Sequence, residues 1–295
     1  MTSNGSIPFT KLAASDWQSW FIPAEAITHK AQNRLDGGGF ADVFAARLGN
    51  MDVAVKQLRI HLNNYGIDVF EREIRVWHRL KHVNILPLLG ACDRDAQGTP
   101  IPPFMVSPLM ENGSMLEYIK KNQCYLNQKL SFLAQSAAGM NYLHSERIIH
   151  GDFKTANVLL DGRLNAVVAD FGMSRTKRTS ASAVWVRASP FEGGTPGFIA
   201  PEMLDPNDPA GASKKTDVYA FAITMYEVLN DGKEIWVTRD GQIMQIFQIG
   251  LMVCNGRRPK RIPGIPDDVW ALIERCWAHD PADRPSFPEI LAVLQ

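Results

Sequence analysis

The chain has 295 residues, 45% hydrophobic and 21% charged, which suits one large globular domain or two lobes. Lysine plus arginine equals aspartate plus glutamate at 31 each, so charge gives no case for a nucleic-acid or membrane-surface partner. The four cysteines, Cys92, Cys124, Cys254 and Cys276, stand far apart without a CxxC pair, which points to a reduced intracellular chain with no zinc site. The opening stretch MTSNGSIPFTKLAASDW is polar and lacks the apolar core of a signal peptide. No apolar run approaches a membrane span, and Thr2 stands where N-terminal myristoylation needs glycine. A cytoplasmic chain with no membrane insertion is expected.

Residues 1–27 read as an N-terminal extension, polar first and then carrying Trp17, Trp20 and Phe21. That cluster has two open readings, a cap on a domain edge or a partly ordered lead-in. From Arg34 to Leu58, RLDGGGFADVFAARL, the turn GNMD and VAVKQL predict a glycine-bearing hairpin and a third strand. IDVFEREIRVWHRLKH has helical spacing, with Val69, Phe70, Ile74, Trp77 and Leu80 on one face. NILPLLGAC and PPFMVSPL read as two buried strands. After MENGS the character turns helical: MLEYIKKN and KLSFLAQSAAGMNYLHSE are amphipathic. An apolar strand is expected to run into His150, and short strands carry NVLLD and NAVVADFG. Met173 to Gly194 is an irregular stretch rich in Ser, Thr and Arg. KKTDVYAFAITMYEVLN predicts a largely apolar central helix, and VWALIERCWAHD and SFPEILAVLQ close the chain as helices. Strands with one helix, then mostly helices, imply two lobes and a cleft between them.

The glycine-rich turn between Leu35 and Phe44 allows close approach of backbone to phosphate. A Rossmann loop opens a helix, whereas this one opens the strand VFAARL, and no Walker sequence occurs in the chain. Lys56 follows in VAVK among apolar neighbours, where a half-buried ammonium needs a counter-charge. Glu73 and Glu71 are the candidates on the next helix. Further on, IIHGDFKTANVLLD places one carboxylate, one amine and one carboxamide close together at Asp152, Lys154 and Asn157. ADFG adds Asp170 at the end of an apolar strand, with Phe171 to bury and Gly172 to permit a turn. Asp170 and Asn157 offer the oxygen ligands that Mg²⁺ demands.

From about Thr28 to Gln295 the chain resembles the protein kinase superfamily, most of all its tyrosine-kinase-like serine/threonine branch. VAVK, HGDFKTAN, DFG, GTPGFIAPE, TDVYAFAI and DPADRPSF carry the likeness. The resemblance implies an α+β, two-lobed fold: a small antiparallel sheet with one main helix, then a larger, mostly helical lobe. It sets the N-lobe at 28–107, the hinge at 108–110 and the C-lobe at 111–295. Activity would be transfer of the γ-phosphate of Mg·ATP to protein Ser/Thr hydroxyls, with ATP and a protein as partners and no nucleic acid. Asp152 would orient the hydroxyl and take its proton, Lys154 would neutralise the moving phosphate, and Asn157 and Asp170 would hold Mg²⁺. Lys56 would contact phosphates while paired with Glu73, which lies nine positions before His82 as the family spacing requires. Leu35 and Gly38 would belong to the nucleotide loop, and Val43, Ala54 and Leu159 would sandwich adenine. Ser107 would be the gatekeeper, with Pro108 and Met110 offering backbone groups. Thr195 would contact Asp152 and Lys154, Glu202 would pair with Arg284, and Asp217 would hold the catalytic loop.

The chain departs from the family pattern at two places. Asp36 and Ala41 stand where two loop glycines are usual, leaving Gly38 and the extra Gly37 and Gly39. Gly151 replaces the arginine that, in the family, binds a phosphate on the activation segment. Loss of that arginine removes a switch and leaves the chemistry intact. The segment from Asp170 to Glu202 carries Ser174, Thr176, Thr179, Ser180, Ser182 and Ser189 beside Arg175, Lys177, Arg178 and Arg187. It reads as a solvated loop or as an autophosphorylation cluster. The alternative to an active kinase is a nucleotide-binding pseudokinase or scaffold, for which Asp36 and Ala41 speak.

Overall fold

A computed structural model of the chain describes residues 20–37, 41–59, 64–171, 195, 197–205, 209–238 and 240–295, with backbone alone at 36–37, 64–69 and 72. Trp17, Gly38, Gly172 and the Ser/Thr/Arg cluster of the 170–202 segment lie outside the described residues. The chain divides into two compact units, Met1–His78 with Leu88–Leu109 and Arg79–Pro87 with Met110–Gln295. The smaller is an antiparallel sheet with one main helix, the larger is mostly helical, and this is the expected two-lobed architecture.

In the smaller unit the strands are β1 (Ile27–Thr28), β2 (Asp36–Gly37), β3 (Ala41–Leu48), β4 (Met51–Leu58), β5 (Gly90–Arg94) and β6 (Pro100–Pro108). Their order is β1-β3-β4-β6-β5, with β2 pairing β3. The turn between β3 and β4 is only Gly49 and Asn50, because Leu48 already pairs Met51. Gly49 takes φ +58, the left-handed region glycine enters without a Cβ clash. Alternation then sorts the side chains. One face carries Ala46, Val53, Val55, Cys92, Phe104 and Val106, which form a buried cluster with Ile22. The helix α1 runs Asn64–Trp77 and buries Phe70, Ile74 and Trp77. It stops short of the expected His82: His78 N–H closes the last turn on Ile74 O, and Leu80 is buried from the following turn instead.

The expected strand NILPLLGAC is shorter than its apolar run. Only Gly90–Arg94 joins the sheet. Pro87 interrupts the run and has no N–H for a ladder. Before it, Leu86 N–H reaches Val168 O, and after it Leu89 N–H reaches Val106 O. The lead-in pairs with β5: Ile22 N–H donates to Ala91 O at 3.0 Å and Ala91 N–H to Trp20 O at 2.9 Å. Trp20 is 5% exposed, and its segment covers an edge that would otherwise show unpaired backbone.

The larger unit holds α2 (Met115–Lys121), α3 (Leu126–Ser145), α4 (Lys214–Leu229), α5 (Ile246–Cys254), α6 (Asp267–Cys276) and α7 (Phe287–Leu294). A two-stranded sheet pairs β7 (Val158–Leu160) with β8 (Ala166–Val168). Ile148 and Ile149, expected as a strand, are in neither of these. Ile148 N–H instead closes on Leu143 O after α3. A capping box of Ser213 and Thr216 starts α4. Its residues are buried almost all round, as a helix at the centre of a lobe requires. All four cysteines are unpaired, and no described helix is long and apolar enough to cross a membrane.

Two close fits can be tested. A Cβ on Gly90 would meet Trp20 O at 2.4 Å and Ile22 side-chain carbon at 2.5 Å. Gly90→Ala is therefore expected to lose about 1–3 kcal/mol of stability. Amide exchange at Ile22 and Ala91 should quicken, and an unchanged melting temperature would contradict this packing. Glu227 on α4 has Oε2 buried with no hydrogen-bond partner. Burial pushes its carboxyl up to about 7, Glu234 adds to this, and Lys120 and Lys154 oppose it. A carboxyl raised in the folded state gives stability that is complete at low pH and is lost as pH rises through about 7. Glu227→Gln should thus be more stable than wild type at about pH 8, by about 1–2 kcal/mol, and equal to it near about pH 4. Parallel melting curves across that range would refute the assignment.

Candidate functional site

In the smaller unit, strand register collects the expected nucleotide residues. Val43 pairs Lys56 and Ala45 pairs Ala54 between β3 and β4. Ala54 in turn pairs Ser107, and Lys56 pairs Met105 on β6. Directly opposed residues share a face, so Val43, Ala54, Lys56 and Ser107 lie together on the face opposite the Val53/Val55 cluster. Ser107 is 6% exposed. Leu35 is exposed, and its N–H donates to Val43 O at 2.8 Å, which sets it beside that face. Pro108 ends β6 opposite Val53, and the next residue, Leu109, gives its N–H to Asp52 O. On α1, Glu73 is buried, and the rival Glu71 reaches Arg75 at 4.0 Å.

In the larger unit, Met110 to Ser114 is tied to β7. Gly113 N–H donates to Met110 O, Asn112 N–H to Leu160 O, and Ser114 bridges Leu159. The expected Met110 and Leu159 are thereby on neighbouring backbone.

The loop from His150 to Asn157 is organised by a carboxylate on α4. Asp217 is 1% exposed. Its Oδ2 accepts from His150 N–H at 2.9 Å and lies 2.8 Å from His144 Nε2, and its Oδ1 accepts from Gly151 N–H at 2.8 Å. Three donors on one carboxylate offset its desolvation. Gly151 holds φ +73. A side chain there would sit in a left-handed conformation, at about 1–2 kcal/mol. The ring of His150 is fully buried, and burial first of all holds its pKa below the ordinary histidine value. Its Nδ1 accepts from Asp152 N–H at 3.3 Å, so in the neutral ring Nε2 carries the proton and donates to Ala169 O at 3.0 Å. One ring thus joins the residue before Asp170 to Asp152.

The chemistry-bearing side chains converge beyond that ring. Lys154 Nζ lies 3.4 Å from Asp152 Oδ2 and donates to Thr195 Oγ1 at 2.7 Å. The Thr195 hydroxyl donates to Asp152 Oδ1 at 3.2 Å. Asn157 Nδ2 donates to Asp152 O at 2.7 Å, which fixes the amide and leaves its Oδ1 as the acceptor. An anchored neutral oxygen of this kind fits a Mg²⁺ ligand. Asp170 is exposed at φ +57, an uncommon conformation for aspartate, and is followed by buried Phe171. Asp152, Lys154, Asn157 and Thr195 are thus one hydrogen-bonded group.

A second buried pair supports the lobe. Arg284 is 1% exposed and grips Glu202 with two bonds of 2.7 and 2.8 Å. It also donates to the carbonyls of Ala278, Lys215 and His279. Buried guanidinium with this many acceptors is satisfied and would be costly to strip of its partner. Sequence reasoning missed His144, which has no local motif, and the packing of Arg258 and Arg284 each 5.1 Å from the ring of Tyr219.

Comparison with known proteins places the chain in a family. The family model for protein tyrosine and serine/threonine kinases matches residues 29–294. Receptor-interacting serine/threonine-protein kinase 3 of Rattus norvegicus is 36% identical over 291 residues, covering 92% of this chain and 57% of that protein. Receptor-interacting serine/threonine-protein kinase 2 of Bos taurus is 34% identical over 281 residues, covering 88% and 50%. The tyrosine-protein kinase transforming protein Fps of avian sarcoma virus (strain PRCII) is 30% identical over 293 residues, covering 97% and 51%. The chain spans about half the length of these three curated relatives. With a matching model across nearly its whole length, the chain belongs to the protein tyrosine and serine/threonine kinase family.

Proposed function

We propose that the chain transfers the γ-phosphate of Mg·ATP to Ser and Thr hydroxyls of proteins. The observation that carries this reading is the triangle of Asp152, Lys154 and the Thr195 hydroxyl. Asp152 already accepts a hydrogen bond from an aliphatic hydroxyl there, at 3.2 Å. In the reaction an acceptor hydroxyl gives its proton to the Asp152 carboxylate as its oxygen bonds to the γ-phosphorus. The bond from that phosphorus to the bridging oxygen breaks, and ADP leaves. Lys154 offsets negative charge on the phosphate in transit. Positioning and electrostatics supply most of the acceleration in phosphoryl transfer.

Asn157 and Asp170 are the residues that would hold Mg²⁺, which neutralises phosphate charge when bound. Lys56, partnered by Glu73, serves the phosphates, and Leu35 and Gly38 belong to the nucleotide loop. Val43, Ala54 and Leu159 take the adenine ring, with Ser107 as gatekeeper and Pro108 and Met110 as backbone partners. Lys154 and Thr195 favour Ser/Thr over Tyr as acceptor. Gly151 offers no guanidinium to a phosphate on the activation segment, and the backbone at His150 and Gly151 is held by Asp217.

Initial rates of phosphate transfer from Mg·ATP to a generic Ser/Thr protein substrate test this. Asp152→Asn should lower kcat by about 10²–10⁴-fold, and Thr195→Val by about tenfold, without loss of fold. A folded wild type that binds nucleotide yet transfers nothing would make the chain a nucleotide-binding scaffold instead.

A further inference from the structure

Gly37, Gly38 and Gly39 follow one another between Asp36 and Ala41. Glycine loses more backbone freedom on ordering than any other residue, so what fixes the residues on either side of this run matters. Its two flanks are tied by a single carboxylate. Asp42 Oδ1 accepts from Arg34 Nη1 at 2.7 Å and from Arg59 Nη2 at 2.6 Å. Asp42 Oδ2 accepts from Arg59 Nε at 2.8 Å, which makes the Arg59 contact a two-pronged fork.

These three residues come from three adjacent segments. Arg34 precedes the loop, Asp42 follows it on β3, and Arg59 lies just past the end of β4. Register places Asp42 opposite Gly37 on one side and opposite Gln57 on the other. The hydrogen bonds from Arg59 and then Arg34 hold the Asp42 carboxyl well below the usual carboxylate range. A third cation stands close by: Lys30 Nζ lies 4.2 Å from the centroid of the Phe44 ring and donates to Gln57 Oε1 at 2.7 Å.

The clamp is on the far side of the sheet from the nucleotide residues. Asp42, Phe44 and Gln57 alternate with Val43 and Lys56, so they share the face of Val55. Asp42 therefore does not touch the group that Val43, Ala54 and Lys56 are proposed to serve. It acts through the backbone that it fixes.

We propose that Asp42, with Arg34 and Arg59, is a positioning residue that holds together the backbone at Arg34, β3 and the end of β4, beside residues 38–40, and so governs affinity for Mg·ATP without altering the chemical step. This rests on the kinase reading above. Geometry that this contact fixes in the flanking segments before the ligand arrives need not be drawn from binding. The arginines are 53% and 41% exposed, so the clamp is open to screening by salt.

The test has two parts. Titration of wild type with a fluorescent ATP analogue and Mg²⁺ first establishes nucleotide binding. Asp42→Asn, Arg59→Met, the double variant and the milder Arg34→Gln are then compared in KM for ATP, kcat and melting temperature. The expected result is a KM raised about 3- to 10-fold in Asp42→Asn and Arg59→Met, with kcat within about twofold of wild type. The double variant should be no worse than the weaker single, since both remove one interaction. Wild-type KM should also rise with salt more steeply than that of Asp42→Asn. If wild type binds nucleotide but KM is unmoved by Asp42→Asn, the clamp is overturned while the kinase reading stands. A fall in kcat and melting temperature together, shared by Arg34→Gln, would reduce Asp42 to a structural role and overturn it as well. A wild type that binds no nucleotide overturns both readings.

Discussion

The buried carboxylate of Asp217 is the constraint on which the larger unit's chemistry depends. It sits on a helix whose side chains are nearly all interior, so its position is set by packing and not by solvent. From there it takes the amides of His150 and Gly151 and a ring nitrogen of His144. A carboxylate at this depth is tolerable only when such donors surround it, and the donors in turn need it. The loop can hardly move without leaving a buried charge unmet. His150 extends the constraint outward in two directions, to Asp152 N–H through Nδ1 and to Ala169 O through Nε2. The placement of Asp152 is thus inherited from the core.

The smaller unit relies on a different device, the two-residue alternation of paired strands. Val43, Ala54, Lys56 and Ser107 come from three strands and share a face because register leaves no other arrangement. The same rule places Asp42 on the reverse face, where charge can be clustered away from Val43 and Lys56. A sheet used in this way separates the residues proposed to touch nucleotide from those that hold the strands in place. The lead-in at Trp20 to Ile22 adds to the holding side by covering the β5 edge and joining the Val53/Val55 cluster.

Much of this was legible in the sequence, for identifiable reasons. The hairpin was readable because Gly49 and Asn50 interrupt two alternating runs, and α4 because its apolar length exceeds any strand. Asp152, Lys154 and Asn157 were readable because their spacing is local, and the expected contact of Thr195 with Asp152 and Lys154 is present. Other features were hidden. Nothing in RVWHRLKH marks Trp77 as the helix end, since Leu80 keeps the period while leaving the helix. Pro87 was the overlooked signal in NILPLLGAC. The helix α5 is a short apolar run with Gly250 inside it, and periodicity alone cannot separate such a run from a strand. His144 and the Asp42 clamp depend on partners distant in sequence or on another strand, which no spacing rule reports. Gly151 read as a missing arginine, and its φ of +73, a left-handed conformation that glycine enters without a Cβ clash, was not visible in the sequence.

That last point bears on regulation. A loop held by Asp217 through backbone amides asks nothing of a side chain at position 151. The most direct measurement is the initial rate of phosphate transfer from Mg·ATP to a Ser/Thr protein substrate, by wild type before and after complete dephosphorylation with a phosphatase. The account predicts the same rate from both samples, because no arginine at 151 waits for an activation-segment phosphate. A dephosphorylated protein that stays folded but is silent until it is phosphorylated again would contradict it.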